Sequence, residues 1–444
     1  YGVSFVTDFQ FSIIFDKFQA DEQIINISPE IHIVYGESGV GKSDFLSCIN
    51  SESHSHLNNF KIKSKISGLN IYRIYQNPDH QIIGKTVRSE LSFTGECEGK
   101  SIEELKKLIE LGFEKLPKSI EATINPALLS GGEKELLNLT TALQMNPDIL
   151  LIDDGLSFLS LENKKMALNW LNDWCNNSSA IIIWTTSEKK DLELGYKNWF
   201  LGLDSFATIE NSSSNSYDLI QIPDGDLSLD FSHVSFNYES SRQIYSDFSI
   251  SLKNARSIGI SGGNGSGKTT FAALCFAYLK PISGQVSLIL GENSNLKIGY
   301  VDQFPEHLIQ LKTPAEFLDT LNQNGIFDSQ LNNTFKKRLT RFGIQWEQVE
   351  FIQGINLPWS VLRMILIVVL CHSKFDIIIL DEPTFGLGWN QRVILRSFLR
   401  ECMTKMHFII VSHDDLFIQS TCDQIINLDL QNQVEKKFET EKES

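Results

Sequence analysis

The sequence predicts an α/β fold that occurs twice in one chain, each copy with a mainly parallel sheet. Two glycine-rich segments of one pattern begin at Gly36 and Gly262, 226 residues apart in a chain of 444 residues. Apolar strand-like runs alternate with helix-like patterns in both halves, which is typical of domains with a parallel sheet. Because further landmarks recur at nearly the same offset, we expect an internal duplication of one domain.

The repeated landmarks and one polar tract predict the domain boundaries. The landmark pairs are Gln76 and Gln303, Leu129 and Leu357, Asp153 and Asp381, and Thr186 and His413. The tract from Glu210 to Gly225 is rich in Ser and Asn and ends in turn residues. We therefore expect a first domain over residues 1–210, a linker over 211–225 and a second domain over 226–444.

Charge and cysteine usage exclude several classes of protein. The chain has 39 Lys and Arg against 55 Asp and Glu, a net charge of −16, which disfavours a nucleic-acid partner. Its seven cysteines contain no Cys-x-x-Cys pair, which argues against a zinc ribbon, an iron–sulfur cluster and a disulfide framework. No apolar run approaches the ~20 residues that a membrane-spanning helix needs, so we expect no transmembrane segment in this chain.

The two glycine-rich segments have the pattern Gly-x-x-x-x-Gly-Lys-Ser/Thr of a phosphate-binding loop. Glycines let successive backbone N–H groups turn toward phosphates at a helix N-terminus. Lys42 or Lys268 would reach the β- and γ-phosphates, and the Ser43 or Thr269 hydroxyl would bind Mg²⁺. The predicted nucleotide contacts are Gly36, Glu37, Ser38, Gly39, Val40, Gly41, Lys42, Ser43 and Asp44 in the first half, and Gly262, Gly263, Asn264, Gly265, Ser266, Gly267, Lys268, Thr269 and Thr270 in the second.

Each half also has two acidic residues at the end of an apolar strand. The runs are Ile149–Asp154 and Ile377–Glu382. The first acidic residue, Asp153 or Asp381, suits the Mg²⁺ shell, and the second can polarise the water that attacks the γ-phosphate.

Between loop and acidic strand, the first half reads Leu129-Ser-Gly-Gly-Glu133. Here the sequence resembles the ATP-binding-cassette (ABC) ATPase family, whose signature is Leu-Ser-Gly-Gly-Gln/Glu, over nearly the whole chain. The resemblance implies two P-loop NTPase domains, each with a helical subdomain, that use ATP and Mg²⁺. It also implies that the two domains pair within the chain, that the signature binds a γ-phosphate held by the opposite domain, and that Gln76 and Gln303 help to hold Mg²⁺.

The family pattern is unevenly distributed between the halves. The second half keeps Lys268, Gln303, Glu382 and His413, and Tyr238, on the strand before the loop, suits adenine stacking. Its signature position, however, reads Leu357-Pro-Trp-Ser-Val361, where Pro358 removes an N–H and Trp359 fills space.

The first half has the opposite set of defects. Its signature is intact, but Asp154 stands for the catalytic Glu and Thr186 for the switch His, while Ser160 and Gly388 replace the usual loop Asp of both halves. The complete site is thus predicted around Lys268, and the site around Lys42 is predicted to bind nucleotide without turnover. The residues expected to carry hydrolysis are Glu382, His413, Gln303, Lys268, Ser130, Gly131 and Gly132.

The segment Tyr75–Phe93 resembles the energy-coupling-factor (ECF) branch of importer ATPases, which uses Gln-Asn-Pro-Asp-x-Gln followed by Thr-Val-x-x-Glu. That resemblance implies a transmembrane scaffold subunit and a small membrane-embedded substrate-binding subunit as partners. It also implies a peripheral position on the cytoplasmic face of the membrane and import of a vitamin or a transition-metal ion. Two alternatives remain open: a fused ATPase of a sugar-type importer and, disfavoured by the short non-basic linker, a soluble ABC protein that acts on ribosomes.

Overall fold

The computed structural model describes residues 9–15, 22–50, 60–64, 68–118, 120–159, 161–194, 196–209, 216–218, 221–238, 243–263, 265–309 and 311–429. The chain forms two compact units, unit 1 (Tyr1–Ser214) and unit 2 (Asn215–Ser444). The division lies inside the predicted linker. Within unit 2, Tyr217 of that linker packs on Trp389, with the ring centroids 4.4 Å apart.

Unit 1 alternates strands and helices after a short antiparallel start. Its strands are β1 (Phe9–Phe15), β2 (Gln23–Ile27), β3 (Ile31–Tyr35), β4 (Phe60–Ser64), β5 (Ile71–Ile74), β6 (Ile149–Asp153), β7 (Ile181–Thr186), β8 (Lys197–Leu201) and β9 (Phe206–Thr208). Its helices are α1 (Lys42–Ile49), α2 (Val87–Cys97), α3 (Ile102–Glu114), α4 (Gly131–Gln144) and α5 (Leu161–Ser178), with 3₁₀ turns at Pro78–His80, Pro126–Leu128 and Lys189–Leu194.

The main sheet of unit 1 has the strand order β5-β6-β7-β3-β8-β9, and every pairing except β8–β9 is parallel. Every residue of β3, β6 and β7 is buried, as expected for strands covered on both faces. A second, antiparallel sheet has the order β2-β1-β4. Helices α2 and α3 pack against each other and on α4, and form the helical part of the unit.

Unit 2 repeats this plan. Its strands are β10 (Leu227–Asn237), β11 (Gln243–Ala255), β12 (Ser257–Ser261), β13 (Ser283–Leu290), β14 (Ile298–Val301), β15 (Ile377–Asp381), β16 (His407–Val411) and β17 (Gln424–Asn427). Its helices are α6 (Lys268–Cys275), α7 (Glu306–Ile309), α8 (Pro314–Gln323), α9 (Asn332–Arg341), α10 (Trp346–Val349), α11 (Trp359–Cys371), α12 (Trp389–Cys402) and α13 (Asp415–Thr421), with 3₁₀ turns at Ser329–Leu331 and Gly354–Asn356.

The parallel sheet of unit 2 has the order β14-β15-β16-β12-β17, and an antiparallel sheet has the order β11-β10-β13. The glycine-rich loop follows β3 in unit 1 and β12 in unit 2. The carboxyl ends of the parallel strands therefore bring the loop and the acidic strand to one edge, where ligands bind in such sheets.

The predicted α/β fold is confirmed in both units. The strands expected before the loops and at the acidic runs are present as β3, β12, β6 and β15. The antiparallel sheets are an addition that the sequence interpretation did not include. Among the helices of the described residues, none combines the length and hydropathy needed to cross a bilayer.

Candidate nucleotide-binding sites

The glycine-rich loop of unit 2 depends on left-handed backbone. Gly265 has φ +78° and Gly267 has φ +98°, which glycine adopts without steric cost. A Cβ at Gly267 would also lie 2.8 Å from the Tyr245 hydroxyl oxygen, which donates a hydrogen bond to the Gly267 carbonyl at 2.8 Å. The predicted contact Asn264 lies outside the described residues.

The loop lysines occupy equivalent positions at the start of α1 and α6. The Lys268 Nζ donates to the carbonyl oxygens of Gly262 (2.8 Å) and Gly263 (3.0 Å). The Lys42 Nζ donates likewise to Gly36 (2.9 Å) and Glu37 (3.3 Å). Both ammonium groups are therefore held across their own loops, at a helix N-terminus that favours anions.

The residues of unit 2 fit a Mg²⁺ ion. Asp381 ends β15 and is 1% exposed, yet among the described residues no group makes a well-formed hydrogen bond to either carboxylate oxygen. Burial, with the charges of Glu382 and Asp302, raises the Asp381 pKa to about 8, although the Thr269 hydroxyl and Lys268 favour the charged form. A buried carboxylate without partners beside a hydroxyl is the donor set that a hard divalent cation compensates.

Glu382 follows Asp381 and is also buried, in the left-handed region at φ +50°. Its carboxylate accepts hydrogen bonds from His413 Nδ1 (2.8 Å), the His413 backbone N–H (3.1 Å) and the Ser412 hydroxyl (3.0 Å). Burial raises the Glu382 pKa, but His413, Lys268 and Ser412 outweigh it and hold the pKa at about 2. The group is therefore ionised at neutral pH, as a residue that orients an attacking water must be.

Two further predicted residues of unit 2 lie at the same edge. Gln303 follows β14, the strand that pairs with β15, and its carbonyl accepts a hydrogen bond from Arg363 at 2.7 Å. Tyr238 is one residue beyond the end of β10, and β11 separates it from β12, so its placement on the strand before the loop was wrong. Its hydroxyl lies 3.1 Å from the Thr270 hydroxyl, which keeps it beside the loop helix.

The corresponding carboxylate of unit 1 has different neighbours. Asp153 Oδ1 accepts hydrogen bonds from the Ser43 hydroxyl (3.0 Å) and the Thr185 hydroxyl (3.3 Å). Its Oδ2 accepts a charged hydrogen bond from Arg73 Nη2 at 2.7 Å, in an ion pair whose side chains are 7% and 5% exposed. Ser43 and Asp153 thus meet as predicted, but they do not fit a Mg²⁺ ion, since both oxygens of Asp153 are already engaged.

Asp154 adopts the same left-handed backbone as Glu382, at φ +46°. Its carboxylate accepts hydrogen bonds from the Ser187 backbone N–H (3.2 Å), the Ser187 hydroxyl (3.1 Å) and Gln76 Nε2 (3.3 Å). Burial and Asp153 raise its pKa, opposed by Lys42 and Ser187. Gln76, which we expected to help hold Mg²⁺, is therefore hydrogen-bonded to Asp154, the second acidic residue of the run.

The assignment of Thr186 to the switch-histidine position was wrong by one residue. Strand register pairs Val34 with Thr185 and Ile260 with Val411, so Thr186 corresponds to Ser412 and Ser187 to His413. The Thr186 hydroxyl instead donates to Asp191 at 2.6 Å. Of the two loop positions predicted to lack an Asp, Gly388 caps α12 and Ser160 lies outside the described residues.

The signature segments begin equivalent helices in different ways. Ser130 caps α4, and its hydroxyl and backbone N–H both donate to Glu133, at 2.8 and 2.9 Å, in a capping box that leads into Gly131 and Gly132. Pro358 caps α11 with no side-chain hydrogen bond to that helix end. Trp359 packs on Phe304 and Phe385, at centroid distances of 5.5 and 5.9 Å, so an aromatic cluster occupies the position.

The segment Tyr75–Phe93 is attached to the signature helix. Lys134 of α4 forms an ion pair with Asp79 at 2.8 Å, and Asn138 donates to the Pro78 carbonyl at 2.8 Å. Glu90 Oε2 accepts hydrogen bonds from the backbone N–H groups of Ile83 (2.9 Å) and Gly84 (2.5 Å). The Gln76 segment and the signature helix therefore form one fixed region of unit 1.

Sequence reasoning missed three residues that shape these sites. Arg73 is a lone cation in the strand Ile71–Ile74, three residues before Gln76, and this interruption of an apolar strand was a usable signal. Glu135 and Arg363 occupy equivalent turns of α4 and α11 and both bind the loop after the acidic strand. Glu135 accepts from the N–H groups of Ser157 and Phe158, each at 3.0 Å, whereas Arg363 donates to the Phe385 carbonyl.

Loop, acidic strand, glutamine segment and signature helix recur in both units, which defines a tandem P-loop nucleotide-binding protein. The sequence model of the ABC transporter family matches residues 27–157 and 245–385, together more than half of the chain. The chain belongs to the ABC transporter family, as a tandem ABC ATPase, an enzyme that hydrolyses ATP.

Relatives of known sequence agree with this assignment. A phytoplasma protein named "Putative ABC transporter ATP-binding protein" (Onion yellows phytoplasma, strain OY-M) is 25% identical and aligns over 86% of this chain and 81% of its own. The Bacillus subtilis (strain 168) protein named "Putative HMP/thiamine import ATP-binding protein YkoD" is 23% identical over 90% of this chain and 84% of its own.

Solved structures share the fold. The structure titled "RNase-L Inhibitor" is 16% identical, with a TM-score of 0.54 and coverage of 90% of this chain and 84% of its own. A structure titled "Model of ribosome-bound archaeal Pelota and ABCE1" is 17% identical, with a TM-score of 0.63 and coverage of 93% and 78%. At these identities the likeness shows the tandem fold alone.

Proposed function

We propose that this chain powers a membrane importer for a micronutrient, a vitamin or a transition-metal ion. In this proposal the loop of unit 2 hydrolyses ATP, and the loop of unit 1 binds nucleotide without turnover. The observation that carries the asymmetry is the contrast between Asp381, a buried carboxylate without a well-formed hydrogen bond among the described residues, and Asp153, which is ion-paired to Arg73.

In unit 2, the groups that would hold Mg²⁺ are the Thr269 hydroxyl, the Asp381 carboxylate and Gln303. The ion neutralises charge on the β- and γ-phosphates when bound. Lys268 adds a fixed positive charge at the same phosphates, and the loop N–H groups orient them. Glu382 accepts a hydrogen bond from the attacking water, and His413 fixes the Glu382 carboxylate at 2.8 Å. By the family resemblance, we assign Ser130, Gly131 and Gly132 to γ-phosphate binding.

In unit 1, the shorter Asp154 carries the role of Glu382. Its carboxylate is turned toward Ser187 and Gln76, and Ser187 has no ring nitrogen to hold a water-orienting group as His413 does. A displacement of ~1 Å can cost ~100-fold in rate. The signature segment of unit 2 is also altered, at Pro358 and Trp359. We therefore assign unit 1 to nucleotide binding.

The importer assignment rests on the segment Tyr75–Phe93. Its ECF-like residues are held on α4 by Lys134 and Asn138, so a change at Gln76 is mechanically linked to the surface that a membrane partner would contact. The name of one relative, an HMP/thiamine import ATP-binding protein, supports a vitamin as cargo. The partners in this proposal are a transmembrane scaffold and a small membrane-embedded substrate binder, with this chain peripheral at the cytoplasmic face.

Affinity purification of the tagged chain from its native membrane tests the importer proposal. We expect a multispan protein and a small integral protein to co-purify, with a vitamin or metal ion bound to the latter. Glu90→Ala should reduce their yield because it releases the backbone of Ile83 and Gly84. Glu316→Ala, which removes a similar helix-start carboxylate in unit 2, serves as the control. Ribosomal proteins in the eluate instead, or a sugar bound to the complex, would overturn the assignment.

A further inference from the structure

Arg73 of unit 1 binds Asp153, the acidic residue expected to face Mg²⁺, and the first turns of the loop helix. It lies on β5, paired in register with Leu151 of β6, two residues before Asp153. Its Nη1 donates to the Ser47 hydroxyl at 2.6 Å, and its Nη2 donates to the Ser43 carbonyl at 3.1 Å and to Asp153 Oδ2 at 2.7 Å. One guanidinium therefore joins the loop helix to the acidic strand.

Hydrogen bonds within unit 1 also occupy the groups that would otherwise coordinate a metal ion. The Ser43 hydroxyl, the expected metal ligand of the loop, donates to Asp153 Oδ1 at 3.0 Å, and Thr185 donates to the same oxygen at 3.3 Å. A divalent cation would have to displace these hydrogen bonds and approach a buried positive charge. Because like charges repel strongly where water is excluded, this pocket favours the guanidinium over the ion.

Unit 2 provides an internal reference for the same position. Tyr300 of β14 pairs with Ile379 of β15, as Arg73 pairs with Leu151, and Ala273 stands where unit 1 has Ser47. The Tyr300 side chain is a phenol, which carries no positive charge. At this position unit 2 has a phenol beside Asp381, whereas unit 1 has a guanidinium beside Asp153.

We propose that the Arg73 guanidinium replaces Mg²⁺ in unit 1, so that this half binds ATP or ADP without a divalent cation. A guanidinium is permanently charged, and its planar N–H donors match phosphate oxygens. A guanidinium neutralises charge as Mg²⁺ does. Unlike Mg²⁺, it cannot coordinate a water molecule or exchange ligands during turnover. The inference rests on the proposed function only in requiring that the loop of unit 1 binds nucleotide.

Counting metal ions against nucleotides tests the inference in the unmodified full-length chain. The protein is saturated with a non-hydrolysed ATP analogue and Mn²⁺, and bound Mn²⁺ is measured by electron paramagnetic resonance. We expect half as many bound manganese ions as bound nucleotides. Equal numbers of ions and nucleotides would overturn the inference.

Single-loop variants assign the metal-free site to unit 1. Lys268→Ala leaves the loop of unit 1 intact, and Lys42→Ala leaves that of unit 2. Binding of a fluorescent ATP analogue to Lys268→Ala should change less than ~3-fold between EDTA and Mg²⁺, whereas Lys42→Ala should lose at least ~10-fold in EDTA. Equal dependence on Mg²⁺ would contradict the inference. Absence of binding to Lys268→Ala in both conditions would also overturn it, while ATPase activity of the unmodified chain would leave the hydrolytic site of unit 2 standing.

Substitution of Arg73 supplies a gain-of-function test. Arg73→Met removes the charge and leaves Asp153 available, so bound Mn²⁺ should rise toward one ion per nucleotide. Arg73→Lys keeps a cation and should leave the ratio unchanged. An unchanged ratio in folded Arg73→Met would show that Arg73 does not exclude the metal, contrary to the inference.

Discussion

Asp153 and Asp381 end equivalent strands beside equivalent loops, yet the two carboxyl groups differ in their hydrogen-bond partners. Asp381 has no well-formed hydrogen bond among the described residues, whereas both oxygens of Asp153 have partners and one faces a guanidinium. The residue that follows each aspartate has the same left-handed backbone, with φ +46° at Asp154 and +50° at Glu382. A duplicated fold can therefore keep its geometry while one residue on a neighbouring strand changes what the site can bind.

The largest expected difference between the sites is in turnover. Glu382→Gln removes the ionised carboxylate that His413 fixes and should lower steady-state ATPase activity by at least ~100-fold. Asp154→Asn should change it by less than ~3-fold, because Asp154 is bound to Ser187 and Gln76 in a half that does not turn over. Phosphate release by the purified full-length chain is the measurement, and the reverse ranking would reject the asymmetry.

The same comparison predicts stability changes of opposite sign. Asp153→Asn leaves the buried Arg73 without its counter-charge and should lower the free energy of unfolding by about 3 kcal/mol. Asp381→Asn replaces a buried acid, to which no well-formed hydrogen bond is made among the described residues, with a neutral amide and should raise it by about 1 kcal/mol.

Denaturant unfolding of the full-length chain without nucleotide or Mg²⁺ measures both stability changes. Hydrogen exchange then identifies the unit that loosens, which should be the region of β5 and β6 for Asp153→Asn. Destabilisation by both substitutions would mean that the two carboxylates share one environment.

Much of the difference between the two halves could be predicted from the sequence, because the motifs that differ are short local patterns. The loops, the acidic strands and the altered signature at Pro358 and Trp359 each occupy a few consecutive residues, and the structure has them where the motifs predict. The antiparallel sheets could also have been predicted in part, since β1 and β10 alternate buried and more exposed residues along most of their length.

The sequence could not provide the residue-by-residue register between the two halves or between neighbouring strands. The offset between the halves drifts by a residue or two along the chain, so Thr186 rather than Ser187 was matched to His413, and only the pairing of β7 with β3 corrects it. The role of Arg73 depends on a partner 80 residues away that parallel pairing of β5 and β6 brings near. The charge of Arg73 in an apolar strand is a local signal, but its contact with Asp153 follows only from the sheet.

A smaller expected effect separates Glu135 from its counterpart Arg363. Glu135 is fully buried on α4, and burial, with a contribution from Asp154, raises its pKa to about 8, although Lys164 and the N–H groups of Phe158 and Ser157 oppose the shift. The folded state therefore binds a proton that the unfolded chain loses near pH 4.5. Stability is fully present below that value and is lost as the pH rises toward about 8.

Between about pH 5 and about pH 8, unit 1 should lose at least about 1 kcal/mol of stability, visible as faster hydrogen exchange in α4 after correction for intrinsic rates. Glu135→Gln should remove this dependence, because the amide keeps an acceptor for the loop N–H groups and carries no titrating proton. Helix α11 of unit 2 is the internal control, since the guanidinium of Arg363 stays charged over the whole range. If Glu135→Gln and the unmodified chain show the same pH dependence in α4, the carboxyl of Glu135 is not the group that titrates, and the two helices differ in charge without differing in their response to pH.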